Sequence, residues 1–88
     1  MTYHVEFSKQ ALKDLKKLDK QTAALILGWV RKNLEGCADP RAHGKGLTAN
    51  RSGEWRYRVG DYRLLAEIQD GKLIILMLTV GHRRDVYR

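Results

Sequence analysis

The sequence has a single cysteine, Cys37, so no disulfide can form within the chain. A zinc site built from cysteines alone is excluded for the same reason. Such sparing use of cysteine is typical of proteins that work in a reducing interior. Because a lone thiol in a loop has no predicted partner residue, we interpret Cys37 as incidental and assign it no catalytic role.

Long hydrophobic runs are also missing. The longest run, from Leu73 to Leu78, is far shorter than the roughly 20 apolar residues that a membrane-spanning helix needs. The first residues do not show the basic and then apolar pattern of a secretion signal either. We therefore expect a cytoplasmic protein.

Acidic residues are outnumbered, with 10 Asp and Glu against 17 Lys and Arg, which gives a formal net charge of +7. The cations are spread along the chain and are not confined to a tail. Such an excess favours a polyanionic partner, either a nucleic acid or an acidic protein. A basic protein with no such partner is the alternative. No linker or internal repeat divides the sequence, so we expect one domain over 1–88.

The first half of the chain predicts a strand followed by two helices. Residues 2–7 alternate between apolar and polar side chains, as a strand does. Ser8 and Asp19 are suited to cap two amphipathic helices, the second of which ends near Gly36. The connection between the helices is so short that they must form a helical hairpin. The polar, glycine-rich segment 36–53 is expected to be a loop.

The rest of the chain is organised around the stretch from Glu54 to Ile68. Two alternating runs flank Gly60 and Asp61, a two-residue connection that is typical of a β-hairpin. One face of this hairpin is apolar, with Trp55, Tyr57, Val59, Tyr62, Leu64, Ala66 and Ile68. The other face carries Arg56, Arg58 and Arg63, and the turn sets Arg58 directly opposite Arg63. Because like charges opposite each other oppose folding, an anionic ligand is the simplest explanation.

A last strand follows a second tight turn at Asp70-Gly71. Turning on these two residues pairs three positions on the core face, namely Ile68 with Leu73, Ala66 with Ile75 and Leu64 with Met77. The arginine face then gains an apolar strip of four residues, Leu65, Ile74, Leu76 and Leu78. No further predicted helix covers this strip, and an exposed apolar patch beside a basic cluster usually marks a partner site.

The resulting fold is β-α-α-β-β-β. A helical hairpin packs on one face of a mainly antiparallel four-stranded sheet, which is an α+β arrangement.

Two stretches of the sequence resemble the RelE toxins of bacterial and archaeal toxin–antitoxin pairs. They are GEWRYRVGDYR at residues 53–63 and VGHRRDVY at residues 80–87, and the order of elements around them is similar as well. The resemblance implies a type II toxin that cleaves mRNA on the ribosome and so inhibits translation. The ribose 2′-hydroxyl attacks the adjacent phosphate, with no metal and no cofactor. A cognate antitoxin forms a hetero-oligomer with the toxin and neutralises it.

The resemblance also implies roles for individual residues. Arg56 and Arg58 stand where the family has two basic strand residues, and Arg63 matches its phosphate-binding arginine. Arg83 matches the arginine near the leaving group. Tyr87 matches the aromatic residue that orients a base.

The arginines do not account for proton transfer, because a guanidinium keeps its proton at any ordinary pH. Some ribonuclease relatives use a histidine near the C-terminus, and His82 occupies a comparable place, with a structural histidine as the alternative. If the last strand runs straight on, His82 and Arg84 point to the arginine face and Arg83 points away. We expect Lys45 and Arg84 to add to RNA phosphate binding.

Two other functions fit parts of the pattern. The first is a non-nuclease toxin of the ParE type, which has the same fold and acts on DNA gyrase. The second is an RNA-binding module without turnover. For the apolar strip, we expect an antitoxin segment to dock there as an amphipathic helix.

Overall fold

The computed structural model describes residues 1–46, 54–82 and 84. In chain order the elements are β1 (His4–Phe7), α1 (Lys9–Lys16), α2 (Lys20–Asn33), β2 (Lys45–Gly46), β3 (Glu54–Val59), β4 (Tyr62–Gln69) and β5 (Ile74–His82). The sheet has the order β1-β5-β4-β3-β2, with β1 parallel to β5 and the other neighbours antiparallel. The α+β fold is confirmed, but the count of four strands is wrong because β2 adds a fifth. In the described part of the chain, no helix is long and apolar enough to cross a membrane.

Both helices begin at the predicted caps. The Ser8 hydroxyl accepts a hydrogen bond from the Ala11 amide at 3.0 Å, and the Asp19 carboxylate accepts one from the Thr22 amide at 3.1 Å. After α2 the chain turns at Gly36, whose φ of 79° favours glycine. The buried side chains of the two helices are Ala11, Leu15, Ile26 and Val30, and they pack against the sheet together with Leu34 at the C-terminal end of α2. The helical hairpin therefore covers one face of the sheet.

The hairpin of β3 and β4 has the predicted register. Val59 pairs with Tyr62, Arg58 with Arg63 and Tyr57 with Leu64. Tyr57 and Leu64 are almost completely buried beneath the helices. The two-residue turn and the alternation of side chains are sufficient to fix this part of the sheet.

The predicted turn into β5 is wrong by two residues. Ile68 pairs with Ile75 and not with Leu73, and the connection consists of residues 70–73. Leu73 adopts a φ of 57°, which is uncommon for a residue other than glycine. Its carbonyl accepts a hydrogen bond from the His4 amide at 2.9 Å. Pairing with β1 thus holds Leu73 in the connection, which a local turn signal does not reveal.

A β-bulge in β5 changes the register again. Ala66 pairs with Met77 but Leu65 pairs with Thr79, so Leu78 is an extra residue. Helix α1 and its cap bind the polar groups that the bulge frees. The Ser8 hydroxyl donates to the Leu78 carbonyl at 2.9 Å, and the Asp14 carboxylate accepts from the Val80 amide at 2.9 Å.

The bulge reverses which face the end of β5 presents. Leu64, which was predicted to pair with Met77, pairs with Val80, and both are buried on the helix side. Gly81 then lies opposite Arg63, and His82 lies opposite Tyr62. The last strand therefore does not run straight on, which was the condition under which His82 would point to the arginine face.

Strand β2 lies within the segment that was predicted to be a loop. Lys45 pairs with Arg56 and Gly46 pairs with Trp55. Gly44 has a φ of 78°, and a Cβ there would overlap the Arg56 carbonyl oxygen. A Cβ on Gly46 would lie 3.0 Å from the Trp55 ring. The two glycines thus permit a close approach of the chain to β3.

Candidate functional site

The face of the sheet away from the helices carries an open pocket of about 370 Å³. Its lining residues are Gly44, Lys45, Arg56, Tyr57, Arg58 and Arg63. The four cations among them come from three neighbouring strands, β2, β3 and β4. We call this surface the arginine pocket. It brings together Lys45 and the three arginines that the sequence singled out.

The cations form two cross-strand pairs, Lys45 with Arg56 and Arg58 with Arg63. Residues directly opposite each other in an antiparallel sheet have Cα atoms about 4.5–5.5 Å apart. Arg56 and Arg58, two apart on one strand, are separated by about 6.6 Å. These spacings match one or two phosphates of a nucleic-acid chain. Since each pair places like charges side by side, the arrangement opposes folding and favours an anionic ligand.

The arginines differ in exposure. Arg58 is exposed, whereas Arg56 and Arg63 are half-buried within the sheet face. A guanidinium is more weakly hydrated than an ammonium group and tolerates this partial burial while keeping its charge. Its planar fork can donate two hydrogen bonds to one phosphate. The arrangement is therefore suited to hold a phosphodiester and to neutralise charge that develops on it.

The segment before β2 is tied to the rest of the molecule at several points. The Tyr57 hydroxyl donates to the Pro40 carbonyl at 2.7 Å, and burial raises the pKa of this hydroxyl far above its usual value. The Trp55 indole donates to the His43 carbonyl at 2.5 Å. The His43 ring is exposed and stands edge-on to the Trp29 ring at 5.6 Å, so it makes an aromatic contact on the helix side.

A further tie joins Arg41 to Asp70 in the connection between β4 and β5. The guanidinium donates to both carboxylate oxygens, at 3.0 and 2.9 Å. The Tyr3 hydroxyl donates to the same carboxylate at 2.6 Å. The hydrogen bonds from Arg41 and then from Tyr3 lower the pKa of Asp70 to about 2. The Asp70 carboxylate in turn raises the pKa of the Tyr3 hydroxyl.

His82 is not brought to the arginine pocket. Its ring stands edge-on to the Tyr62 ring at 5.5 Å, on the helix side of the sheet. The two rings line a separate open groove of about 440 Å³, together with Asp14, Lys17, Leu18, Val80 and Gly81. Arg84 is exposed, and its amide donates to the His82 ring at 3.3 Å. Arg83 and Tyr87 lie outside the described residues.

The apolar strip lies on the same face of the sheet as the arginine pocket. Leu65 follows Arg63 by two positions on β4, and the bulge places Leu78 and Thr79 together opposite Leu65. Leu76 and Ile74 continue the strip along β5, and all four strip residues are half-buried. A partner that covers the strip can therefore reach the pocket as well.

Sequence reasoning missed the contribution of β2 and of the Arg41–Asp70 pair. The Gly44-Lys45-Gly46 run is the local signal for a close approach, but two residues are too few to show strand periodicity. The Arg41–Asp70 pair joins residues 29 apart in the chain, and no sequence pattern marks it.

The sequence and the fold of this chain are both similar to those of known proteins. Residues 5–87 match the family described as the ParE toxin of type II toxin–antitoxin system, parDE. The chain belongs to this family. Toxin RelG of Mycobacterium tuberculosis is 35% identical over 88 residues, which cover 100% of this chain and 99% of that relative. The protein is therefore a RelE-like toxin of the RelE/ParE superfamily, as the sequence predicted.

Solved structures show the same likeness. The toxin–antitoxin complex RelBE2 of M. tuberculosis contains a chain that matches with a TM-score of 0.83 and 32% identity, over 94% of this chain and 100% of that one. The archaeal RelE–RelB complex of Pyrococcus horikoshii OT3 matches with a TM-score of 0.72 and 30% identity. That match covers 97% of this chain and 99% of the other.

Proposed function

We propose that this toxin is a ribosome-dependent endoribonuclease that cleaves mRNA, needs no metal ion, and so inhibits translation. The observation that carries the proposal is the arginine pocket, where three strands contribute four cations with the spacing of one or two neighbouring phosphates. The named relatives, which are RelE and RelG toxins, support it. Inhibition of DNA gyrase, the ParE-type alternative, gives the clustered cations no role.

In the proposed reaction, the ribose 2′-oxygen attacks the adjacent phosphorus while the bond from phosphorus to the 5′-oxygen breaks. The products are a 2′,3′-cyclic phosphate and a 5′-hydroxyl. Arg56, Arg58 and Arg63 stabilise the extra negative charge of the five-coordinate phosphate by fixed hydrogen bonds. The arginines act through charge and hydrogen bonds, while the 2′-hydroxyl gives up its proton to water and the departing 5′-oxygen takes a proton from water.

The C-terminal segment completes the proposed site. Following the family resemblance, we assign Arg83 to the departing 5′-oxygen and Tyr87 to stacking on a base. The bulge in β5 turns His82 to the helix side, away from the arginine pocket. His82 then fits the structural alternative, with its ring against Tyr62. Lys45 binds a neighbouring phosphate from β2, and Arg84 adds positive charge beyond the strand end.

The test is to induce the protein in cells and map mRNA 5′ ends. The wild type should produce cuts within translated codons, and Arg58→Gln should reduce them by about 100-fold or more, as loss of one oxyanion donor does. Arg31→Gln is the matched control, since Arg31 is an exposed arginine in the last turn of α2. It removes the same charge far from the pocket and should leave cutting intact.

Three outcomes would contradict the proposal. One is undiminished cutting by Arg58→Gln. Another is intact mRNA together with inhibited supercoiling by DNA gyrase in a parallel assay, which would favour the ParE-type activity. A third is tight RNA binding by the purified protein, with steep salt dependence but no cyclic-phosphate product on ribosomes. That result would leave an RNA-binding module.

We further propose that a cognate antitoxin docks an amphipathic segment on the apolar strip. Similar structures are complexes of RelE toxins with RelB antitoxins, which supports such a partner. The strip adjoins the arginine pocket, so one segment can shield both from RNA.

Leu76→Ala tests the antitoxin proposal, because it removes most of a central apolar contact. We expect calorimetric titration to show that the variant binds the cognate antitoxin about 10-fold or more weakly. The mapped mRNA cleavage should change little. Leu25→Ala on α2 is the control, since Leu25 is 63% exposed on the helix side. Loss of cleavage without loss of antitoxin affinity would refute the proposal.

A further inference from the structure

Lys45 cannot be held in the arginine pocket by its own strand. Strand β2 has only two residues, and one of its two pairs sets Lys45 against the like charge of Arg56. Short pairings of this kind are marginal in water even without repulsion. The position of Lys45 therefore depends on contacts made elsewhere in the preceding segment, residues 37–46, which we call the arm.

The arm is held by the buried side chain of Pro40, by the bond from the Tyr3 amide to the Cys37 carbonyl and by the ring contact of His43 with Trp29. Three further anchors are hydrogen bonds made by side chains. Two of them reach only to β3, through the Tyr57 hydroxyl on the Pro40 carbonyl and the Trp55 indole on the His43 carbonyl. The third reaches across to the connection between β4 and β5, through Arg41 and Asp70. Only this third anchor joins two charged side chains.

The geometry of the third anchor is well defined. The guanidinium of Arg41 donates to both carboxylate oxygens of Asp70, and the Tyr3 hydroxyl donates to Oδ1 of the same carboxylate. The Arg41 guanidinium also lies 5.9 Å from the centre of the Trp55 ring. Trp55 in turn contacts Gly46 and pairs with it. A continuous set of contacts thus runs from Asp70 to β2 and Lys45.

We propose that Arg41 and Asp70 form a clasp that positions Lys45 to bind an RNA phosphate in the arginine pocket. Arg41 is on this account a positioning residue, and the inference rests on the proposed function of the pocket. The side chains of Arg41 and Asp70 are 38% and 56% exposed, and ion pairs this exposed contribute little to global stability. The clasp acts on the arm and not on the core.

Asp70→Asn separates the clasp from simple electrostatics, because the two predict opposite signs. Removing a carboxylate makes the protein more positive, so charge alone predicts tighter RNA binding. Loss of the clasp predicts binding that is weaker by about 3- to 10-fold, since one phosphate contact is lost. Asp61→Asn is the matched control, because Asp61 is an exposed carboxylate in the turn between β3 and β4 and changes the charge equally.

The experiment measures the affinity for a short single-stranded RNA whose 2′-O-methyl groups prevent cleavage, by fluorescence anisotropy at fixed salt. We expect Asp70→Asn and Lys45→Ala each to weaken binding, and Asp61→Asn to leave it equal or tighter. In the Lys45→Ala background, Asp70→Asn should cause no further loss.

Equal or tighter binding by Asp70→Asn would overturn the clasp, and so would a loss that persists in full without Lys45. A wild type that does not bind this RNA overturns it too. If the wild-type protein binds RNA but never cleaves mRNA on ribosomes, only the proposed nuclease function is refuted. The comparison of Asp70→Asn with Asp61→Asn then still decides whether the clasp exists.

Discussion

Arginine occupies three of the four cationic positions of the pocket, and its chemistry suits both the sheet and the proposed substrate. Arg56 and Arg63 are half-buried, which a guanidinium tolerates better than an ammonium group because it is more weakly hydrated. Arg58 and Arg63 face each other directly, so each raises the free energy of the folded state while it prepares the pocket for an anion. The repulsion between these two arginines would be relieved by an anion bound between them.

The lowered pKa of Asp70 predicts how the stability of the protein changes in acid. Its pKa in the folded protein is about 2, against 3.8 for the free group, chiefly because of the hydrogen bonds from Arg41. A carboxylate with a lowered pKa stabilises the fold above pH 3.8, and this contribution is lost as the pH falls to about 2. Urea unfolding in this window should therefore show a steeper loss of stability for the wild type than for Asp70→Asn. An equal dependence of stability on pH in the two proteins would contradict the lowered pKa of Asp70.

Among the helices and strands, the features that depend on neighbouring residues were predicted correctly from the sequence. The register of β3 and β4 follows from a two-residue turn and from alternation on both sides of it. The helix starts at Ser8 and Asp19 follow from capping by side chains three residues away. These features need no information from distant parts of the chain.

The features that sequence reasoning missed depend on distant contacts. The connection into β5 is held by the pairing of Leu73 with His4 and by the bonds that Tyr3 and Arg41 make to Asp70. The bulge is stabilised from α1 and its cap by Ser8 and Asp14. Strand β2 is too short to show a period. As a result, three pocket arginines were predicted to lie together, but the place of Lys45 beside Arg56 and the face of His82 were not.

Gly44 provides a test of how β2 builds the pocket. Gly44→Ala combines a φ of 78° with an overlap between the new Cβ and the Arg56 carbonyl, so β2 should separate from β3. We expect a loss of about 1–3 kcal/mol in the free energy of unfolding. The variant should also bind RNA as weakly as the Lys45→Ala variant does.

Gly28→Ala is the control for this substitution. Gly28 lies within α2, and a Cβ there meets nothing within 4 Å. The change should stabilise the protein by about 0.5–1 kcal/mol, because alanine favours a helix, and should leave RNA affinity unchanged. RNA affinity that survives Gly44→Ala would show that β2 does not contribute to the pocket.

In the molecule as a whole, the two faces of the sheet have different roles. One face is buried under the helices and supplies the core, with Tyr57, Leu64, Ile75 and Met77 almost fully enclosed. The other face carries the arginine pocket and the apolar strip side by side. The net charge of +7 adds a long-range attraction to any polyanion, and the proposed RNA substrate is one. Affinity for the partner can therefore change without disturbing the core.

The decisive experiment on the proposed reaction is cleavage, on programmed ribosomes, of an mRNA with a single 2′-deoxynucleotide at the cut site. Because the 2′-oxygen is the proposed nucleophile, the all-ribose mRNA should yield a 2′,3′-cyclic phosphate, and the deoxy-substituted mRNA should not be cut at that position. A cut that persists after the 2′-hydroxyl has been removed would contradict the proposed chemistry of the arginine pocket.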